Sequence, residues 1–108
     1  VNTPLKSMDN KMSVVYVVVL TYIKPLNDVD SLLPAHVEWL QKGYAEGLFL
    51  ASGRKIPRSG GVILAKCDDA EKLQHYLSLD PFQQAGVAQV ELIPFEATMT
   101  TAALKDIL

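Results

Sequence analysis

The chain has 108 residues, of which 49% are hydrophobic, and this is enough for one domain with a packed core. A formal net charge of −2 gives no electrostatic footprint for nucleic acid, and no apolar run approaches the roughly 20 residues that span a bilayer. Because one cysteine, Cys67, allows no internal disulfide, we expect a reducing, cytoplasmic setting.

The chain begins with a polar stretch, Val1–Lys11, that has little periodicity. It predicts a loosely ordered N-terminal extension over residues 1–12, not a signal peptide, followed by a single domain over residues 13–108. Val14–Tyr22 is β-branched and aromatic and is too short for a good helix, so it predicts a strand. This strand is apolar on both sides, which predicts that both of its faces are buried.

A loop is predicted over Lys24–Ser31, with Asp30 or Ser31 as the cap of a first helix. The helix should bury one stripe of residues at helical spacing, namely Leu33, Val37, Leu40 and Tyr44. His36 is predicted at the border of that stripe.

Two further strands, Leu48–Ser52 and Val62–Cys67, are predicted to form a long hairpin. The connection between them, Gly53–Gly61, carries the cations Arg54, Lys55 and Arg58. These side chains either anchor an anionic substrate or are ordinary solvated charges, and the sequence alone favours the second interpretation.

The second helix should begin after Asp68 or Asp69 and bury Ala70, Leu73 and Leu77. Asp80-Pro81-Phe82-Gln83-Gln84-Ala85-Gly86 then predicts a short helical turn that is stopped at both ends. Asp80 is its N-cap, Pro81 its first residue, Gln83 holds the capping-box position, and Gly86 suits a left-handed terminus.

A fourth strand is predicted over Val87–Phe95 and must lie at a sheet edge, because Pro94 cannot donate to a ladder. Thr100–Leu108 predicts one weak helix. The order β-α-β-β-α-β predicts an α+β, ferredoxin-like sandwich with two helices on one face of a four-stranded antiparallel sheet. The open face would need a cover, and a second copy of the same sheet supplies one, so we expect a homodimer; an uncovered monomer is the alternative.

Several short motifs together resemble the YciI-like (YCII-related) proteins of the dimeric α/β-barrel superfamily. They are Ala35-His36-Val37-Glu38-Trp39-Leu40, Ala51-Ser52-Gly53, Gly60-Gly61, and Asp80-Pro81-Phe82 with Ala85-Gly86. The resemblance implies a pocket in which His36 and Asp80 form a catalytic pair. It also implies substrate contacts from Ser52, Gly53, Arg54 and Phe82. A proline often follows the Ser-Gly pair in relatives, where this chain has Arg54.

Each candidate has a plainer interpretation. An imidazole has an ordinary pKa of about 6.5 and suits general acid–base catalysis near neutral pH, but His36 could also simply pack at the border of the core. Asp80 could be only a helix cap, Phe82 only a core residue and Cys67 only a small buried one. His36, His75 and Cys67 show no metal-ligand spacing, so neither a metal nor another cofactor is predicted.

Two functional hypotheses follow. The first is a small enzyme in which His36 and Asp80 move a proton on a small oxygenated or lactone-like metabolite, as an isomerase, lyase or dehalogenase. The second is a binding or accessory module that uses the same pocket for a small, possibly anionic, ligand. The superfamily includes lactone isomerases and monooxygenases, so the fold does not fix the reaction.

Overall fold

The computed structural model describes residues 14–108, so the predicted N-terminal extension lies outside the described residues. The elements follow one another in the predicted order. They are β1 (Val14–Tyr22), α1 (Leu26–Ala45), β2 (Phe49–Arg54), β3 (Gly60–Lys66), α2 (Ala70–Ser78), α3 (Pro81–Gln84), β4 (Ala88–Glu96) and a 3₁₀ turn (Ala102–Leu104).

The four strands form one antiparallel sheet in the order β2-β3-β1-β4. This arrangement confirms the predicted ferredoxin-like sandwich. β1 lies in the interior of the sheet between β3 and β4, in keeping with its continuous apolar sequence. Pro94 lies on the edge strand β4 opposite Tyr16, where its missing N–H costs no ladder bond to a further strand.

The first helix begins earlier than predicted, because Lys24–Ser31 is not a loop. α1 starts at Leu26 directly after Pro25, whose backbone is extended and whose carbonyl accepts from Asp28 and Val29. Neither Asp30 nor Ser31 is the cap: the Ser31 hydroxyl donates to the Asp28 carbonyl within the helix. The polar run misled the prediction because its side chains lie on the solvent side of the first turns.

The buried face of α1 is also not the predicted stripe. The residues turned into the core are Val29, His36, Trp39 and Gly43, whereas Val37 and Tyr44 are each 40% exposed. Gly43 explains part of the shift, because a Cβ at that position would overlap the ring of Phe49 on β2. The absent side chain lets the helix approach the sheet there.

β2 and β3 form the predicted hairpin, but β2 is longer than expected at its C-terminal end and β3 begins earlier. Phe49 pairs with Ala65 and Ala51 with Leu64, so Leu50 is the extra residue of a β-bulge. The strand therefore changes its alternation between Phe49 and Ser52, and this determines which side chains reach the site described below.

The second helix, α2, is capped by Asp69, whose carboxylate accepts from the N–H groups of Glu71 and Lys72. Leu73 and Leu77 are buried as predicted, whereas Ala70 is exposed. The helices are joined by a reciprocal contact: Trp39 Nε1 donates to the Tyr76 carbonyl at 3.0 Å, and the Tyr76 hydroxyl donates to the Trp39 carbonyl at 2.8 Å. Burial raises the pKa of Tyr76 above its ordinary value.

The helices cover one face of the sheet, with Tyr16, Val18 and Leu20 of β1 in the core. The strand register places the intervening residues on the opposite, open face, which carries Val15, Val17, Val19, Val62, Leu64, Ile93 and Phe95. Lys66 Nζ donates to the carbonyls of Ile107 and Leu108, which brings the C-terminal segment to one end of that face. In residues 14–108, no helix is both long and apolar enough to cross a bilayer.

Candidate functional site

A cleft of about 210 Å³ lies between α1 and the β2–β3 hairpin. Most of its wall is apolar, and the polar side chains that reach it come from three places: His36 on α1, Tyr22 at the end of β1, and Ser52 and Arg54 on β2. The apolar lining consists of Leu20, Leu33, Val37, Leu40, Val62, Ile63 and Phe82. A surface of this kind suits a small, largely apolar ligand that carries a few oxygen atoms.

The imidazole of His36 is joined to Asp80 by a hydrogen bond of 2.7 Å between Nδ1 and Oδ1. The two residues are 44 positions apart in the sequence, and the fold alone brings them together. A carboxylate oxygen accepts, so Nδ1–H is the donor and Nε2 is the nitrogen left for other chemistry. In the described part of the chain, Nε2 has no hydrogen-bond partner.

Asp80 is buried, with 1% of its surface exposed, and it does not line the cleft itself. The same Oδ1 that accepts from His36 also accepts from the backbone N–H of Phe82 at 3.0 Å, so Asp80 is the predicted N-cap of α3. Gln83 does not complete a capping box, because its side chain donates to the Leu77 carbonyl. Gly86 follows the short helix with a φ of +72°, as predicted for a left-handed terminus.

Aromatic rings hold the imidazole in place. The His36 ring stacks on Phe82, with centroids 3.9 Å apart and planes 5° from parallel, and Trp39 contacts it at 5.5 Å. Phe82 in turn meets the edge of Tyr22. With His36 only 9% exposed, its ring position is fixed by packing on its faces and by Asp80 at one nitrogen. His36 is therefore a core residue and a cleft residue at once, and not the border residue that the stripe predicted.

A polar edge of the cleft, defined here as Ser52, Arg54 and Tyr44, lies along β2 and the last turns of α1. The hydroxyl groups of Tyr44 and Ser52 are 2.7 Å apart. Arg54 is exposed and forms no hydrogen bond or ion pair with any other described residue, although its charge acts on Asp30 at longer range.

The other two cations of the hairpin have partners elsewhere. Lys55 Nζ donates to the Thr21 hydroxyl at 3.0 Å, and Arg58 Nη2 donates to the carboxylate of Asp30 on α1. That hydrogen bond from Arg58 lowers the pKa of Asp30 below its ordinary value. The structure thus places only Arg54 of the three hairpin cations in the cleft.

The cleft also uses residues whose role the sequence analysis missed. The predicted core stripe of α1 is the wall of the cleft, because Leu33, Val37 and Leu40 all line it. The available signal was the second stripe on the same helix: Trp39 and Gly43 could have indicated that the helix has two apolar faces.

Cys67 is buried, and its thiol donates to the Asp69 carbonyl, which agrees with a structural role. Over residues 14–108, no three His, Cys, Asp or Glu side chains are grouped as metal ligands.

The fold is similar to that of 5-chloro-2-hydroxyhydroquinone dehydrochlorinase (TftG) from Burkholderia phenoliruptrix AC1100, solved in complex with 2,5-dihydroxybenzoquinone. The TM-score is 0.64 at 14% sequence identity, over 80% of this chain and 95% of that one. No curated protein matches the sequence. The model of the YCII-related domain matches residues 15–96, which include His36, Asp80 and every residue of the cleft, so the chain belongs to the YCII-related domain family.

Proposed function

We propose that the protein is a small enzyme in which His36 acts as general base and general acid, oriented by Asp80. The observation that carries this proposal is the 2.7 Å hydrogen bond between Nδ1 and the buried carboxylate on an imidazole that lines the cleft. The carboxylate selects the tautomer with hydrogen on Nδ1, so that Nε2 offers its lone pair. It also stabilises the imidazolium that forms when Nε2 takes up a proton.

The proton transfer can be written for a ring substrate with an acidic C–H or O–H group. Nε2 removes that proton, and the electron pair of the broken bond moves into the ring toward an oxygen substituent. The imidazolium then returns the proton to another atom, which gives an isomer. Alternatively, a leaving group such as chloride departs with an electron pair, and the proton is released to solvent. Both routes conserve atoms and electrons and need neither a metal nor a redox partner.

The shape of the cleft supports small flat rings as substrates. Apolar side chains on α1 and on β3 suit a small flat ring, and the exposed backbone at Gly53 leaves room beside it. The similar fold of TftG, which is named as a dehydrochlorinase and was solved with a dihydroxybenzoquinone, supports hydroxylated and halogenated rings as first candidates. Lactones of the same size are further candidates.

The direct test is transfer of a proton to or from carbon. The wild-type protein is incubated in D₂O with a panel of hydroxylated quinones, halogenated hydroxyquinols and small lactones, and deuterium incorporation and product formation are followed by NMR. We expect His36→Asn to lower the rate by about 10²–10⁴-fold and Asp80→Asn to lower it as well. His75→Asn is the matched control, because His75 is exposed on α2 and outside the cleft. Equal rates in wild type and His36→Asn would contradict the proposal.

A non-catalytic binding module is the second candidate. Its supporting observation is the small exposure of His36 and its close stacking on Phe82, which is also how a purely structural imidazole is held. In that case panel compounds would raise the melting temperature, and neither wild type nor His36→Asn would exchange deuterium.

We also infer that two copies associate through the open face of the sheet, in a cytoplasmic setting. Val62, Ile93 and Phe95 on that face are 37%, 42% and 46% exposed in the single chain. Exposed apolar side chains that share one face are typical of an interface, and a C2 pair would cover the same surface on both copies.

A further inference from the structure

We infer that the polar edge of the cleft is a subsite for an anionic oxygen carried by a small flat ring, with Arg54 as its cation. In this subsite Ser52 supplies a hydroxyl, and Tyr44 is a positioning residue that acts through Ser52. The inference deepens the proposed function and rests on it for the reaction. Binding of an anionic ligand at the subsite can be tested separately from the reaction.

The bulge in β2 is the first observation. Side chains alternate along a strand, so without the extra residue Leu50 a strand that turns Phe49 into the core would turn Ser52 to the open face. The bulge reverses this alternation: Ser52 is paired with Ile63 and Arg54 with Gly61, both of which line the cleft. Bulges are common next to active sites, where they redirect a side chain. Here the bulge places both a hydroxyl and a guanidinium in the cleft.

The charge of the cleft is the second observation. Among the described residues that line it, Arg54 is the one cation, and no aspartate or glutamate accompanies it. Asp30, on which the charge of Arg54 acts at longer range, already accepts from Arg58. The guanidinium of Arg54 is thus left with its hydrogen-bond donors free beside an apolar wall. A ligand with an anionic oxygen would satisfy those donors, and a guanidinium binds such oxygens well.

The contact between Tyr44 and Ser52 is the third observation. The Tyr44 hydroxyl lies 2.7 Å from that of Ser52 and holds the Ser52 oxygen in place, and either hydroxyl can be the donor. If Tyr44 donates, the Ser52 hydroxyl keeps its own hydrogen for the ligand. Tyr44 does not line the cleft, so its effect on a ligand passes through Ser52. Its ring is held by an edge contact with Phe49, which fixes the position of the hydroxyl.

The subsite complements His36 across the cleft. A ring that lies against Val37, Leu40 and Ile63 could present one edge to Nε2 and an oxygen to Arg54. Charge that moves into the ring when His36 removes a proton would then be stabilised at the oxygen by the guanidinium and the serine hydroxyl.

The test compares two flat probes of the same shape, benzoate and benzamide, by NMR titration of the full chain. We expect wild type to prefer benzoate. Arg54→Gln, which keeps a long polar side chain but removes the charge, should reduce the ratio of benzoate to benzamide affinity by about 10-fold or more. Lys42→Ala is the matched control: it removes an exposed cation of α1 outside the cleft and should leave the ratio unchanged. An unchanged ratio in Arg54→Gln would overturn the inference.

The role of Tyr44 is tested by a double-mutant cycle. Tyr44→Phe and Ser52→Ala should each weaken benzoate binding by a few-fold, and Tyr44→Phe should have no further effect in a Ser52→Ala background. Tyr16→Phe, which removes a hydroxyl outside the cleft, is the control. Additive losses would overturn the positioning role of Tyr44.

The outcomes for the subsite and for the reaction can be separated. Deuterium exchange reports on His36, whereas the preference for benzoate over benzamide reports on Arg54. A protein that prefers benzoate through Arg54 but never exchanges deuterium would overturn the proposed reaction and support the subsite. A protein that exchanges deuterium but whose benzoate binding does not depend on Arg54 would support the proposed reaction and overturn the subsite.

Discussion

At the scale of single residues, one oxygen atom links the local fold to the cleft. Oδ1 of Asp80 accepts both from the backbone of Phe82 and from His36 Nδ1. The first bond starts α3 and fixes the residue whose ring stacks on the imidazole, and the second bond fixes the imidazole itself. From the sequence, Asp80 could be either a helix cap or a catalytic partner of His36. In the structure Asp80 is the cap of α3, and it also contacts His36.

This double role predicts the effect of removing Asp80. Asp80→Ala would lose the cap and leave the buried Nδ1–H of His36 without an acceptor, so we expect the free energy of unfolding to fall by about 2–4 kcal/mol. Asp80→Asn keeps an acceptor at that position and should cost clearly less. Urea denaturation gives both values. Asp69→Ala is the control, because it removes an exposed cap without such a partner and should cost about 0.5–2 kcal/mol. Equal costs for Asp80→Ala and Asp69→Ala would show that the bond to His36 adds no stability.

At the scale of elements, the hairpin and α1 are connected beside the cleft by a pair of charges. Arg58 lies on the β2–β3 connection, donates to Asp30, and places its guanidinium 5.9 Å from the centre of the Tyr22 ring. Tyr22 lines the cleft and contacts Phe82. The ion pair therefore connects the first turns of α1, the hairpin and the aromatic residues around His36.

The pair should give the stability of the fold an acid-dependent component. Arg58 lowers the pKa of Asp30 in the folded state. The stabilisation of the fold by this ion pair is therefore complete above the unfolded-state pKa of about 4, and it is lost as the pH falls through the folded-state pKa. We expect Asp30→Asn to lower the melting temperature slightly at neutral pH and to have no effect near pH 2. Glu38→Gln, which removes an exposed carboxylate of the same helix, is the control. A difference between wild type and Asp30→Asn that persists in acid would refute this explanation.

Boundaries and faces of elements were the part that sequence patterns predicted least well. A hydrophobic stripe on α1 could not show whether it faces the core or a cleft, because both surfaces are apolar. The bulge at Leu50 had no sequence signal, since it depends on the pairing with β3 and not on β2 alone. By contrast, Asp80 was identifiable as a cap, and the cap of α2 was narrowed to Asp68 or Asp69, because capping depends on residues within one turn.

At the scale of the whole molecule, the order of strands and helices was predictable because it follows from local patterns and chain connectivity. The contact between His36 and Asp80 was not predictable from spacing, since the two residues are 44 positions apart and only the fold brings them together. The motif resemblance indicated this contact. The apolar β1 strand also predicted a covered open face. In the single chain the C-terminal segment reaches one end of that face at Lys66, and the exposed side chains of Val62 and Ile93 remain uncovered.

The open face of the sheet carries exposed apolar side chains in the single chain. If two copies join through it, light scattering at micromolar concentration should give about twice the chain mass of 11.9 kDa. Ile93→Lys would place a charge on the open face, where its desolvation in an interface is costly, and should shift the mass to that of a single chain while the circular dichroism spectrum stays native. Ile56→Lys is the matched control, because Ile56 is 99% exposed on the hairpin connection, away from the open face. A wild-type protein that stays monomeric at high concentration would show that the open face does not bind a second copy.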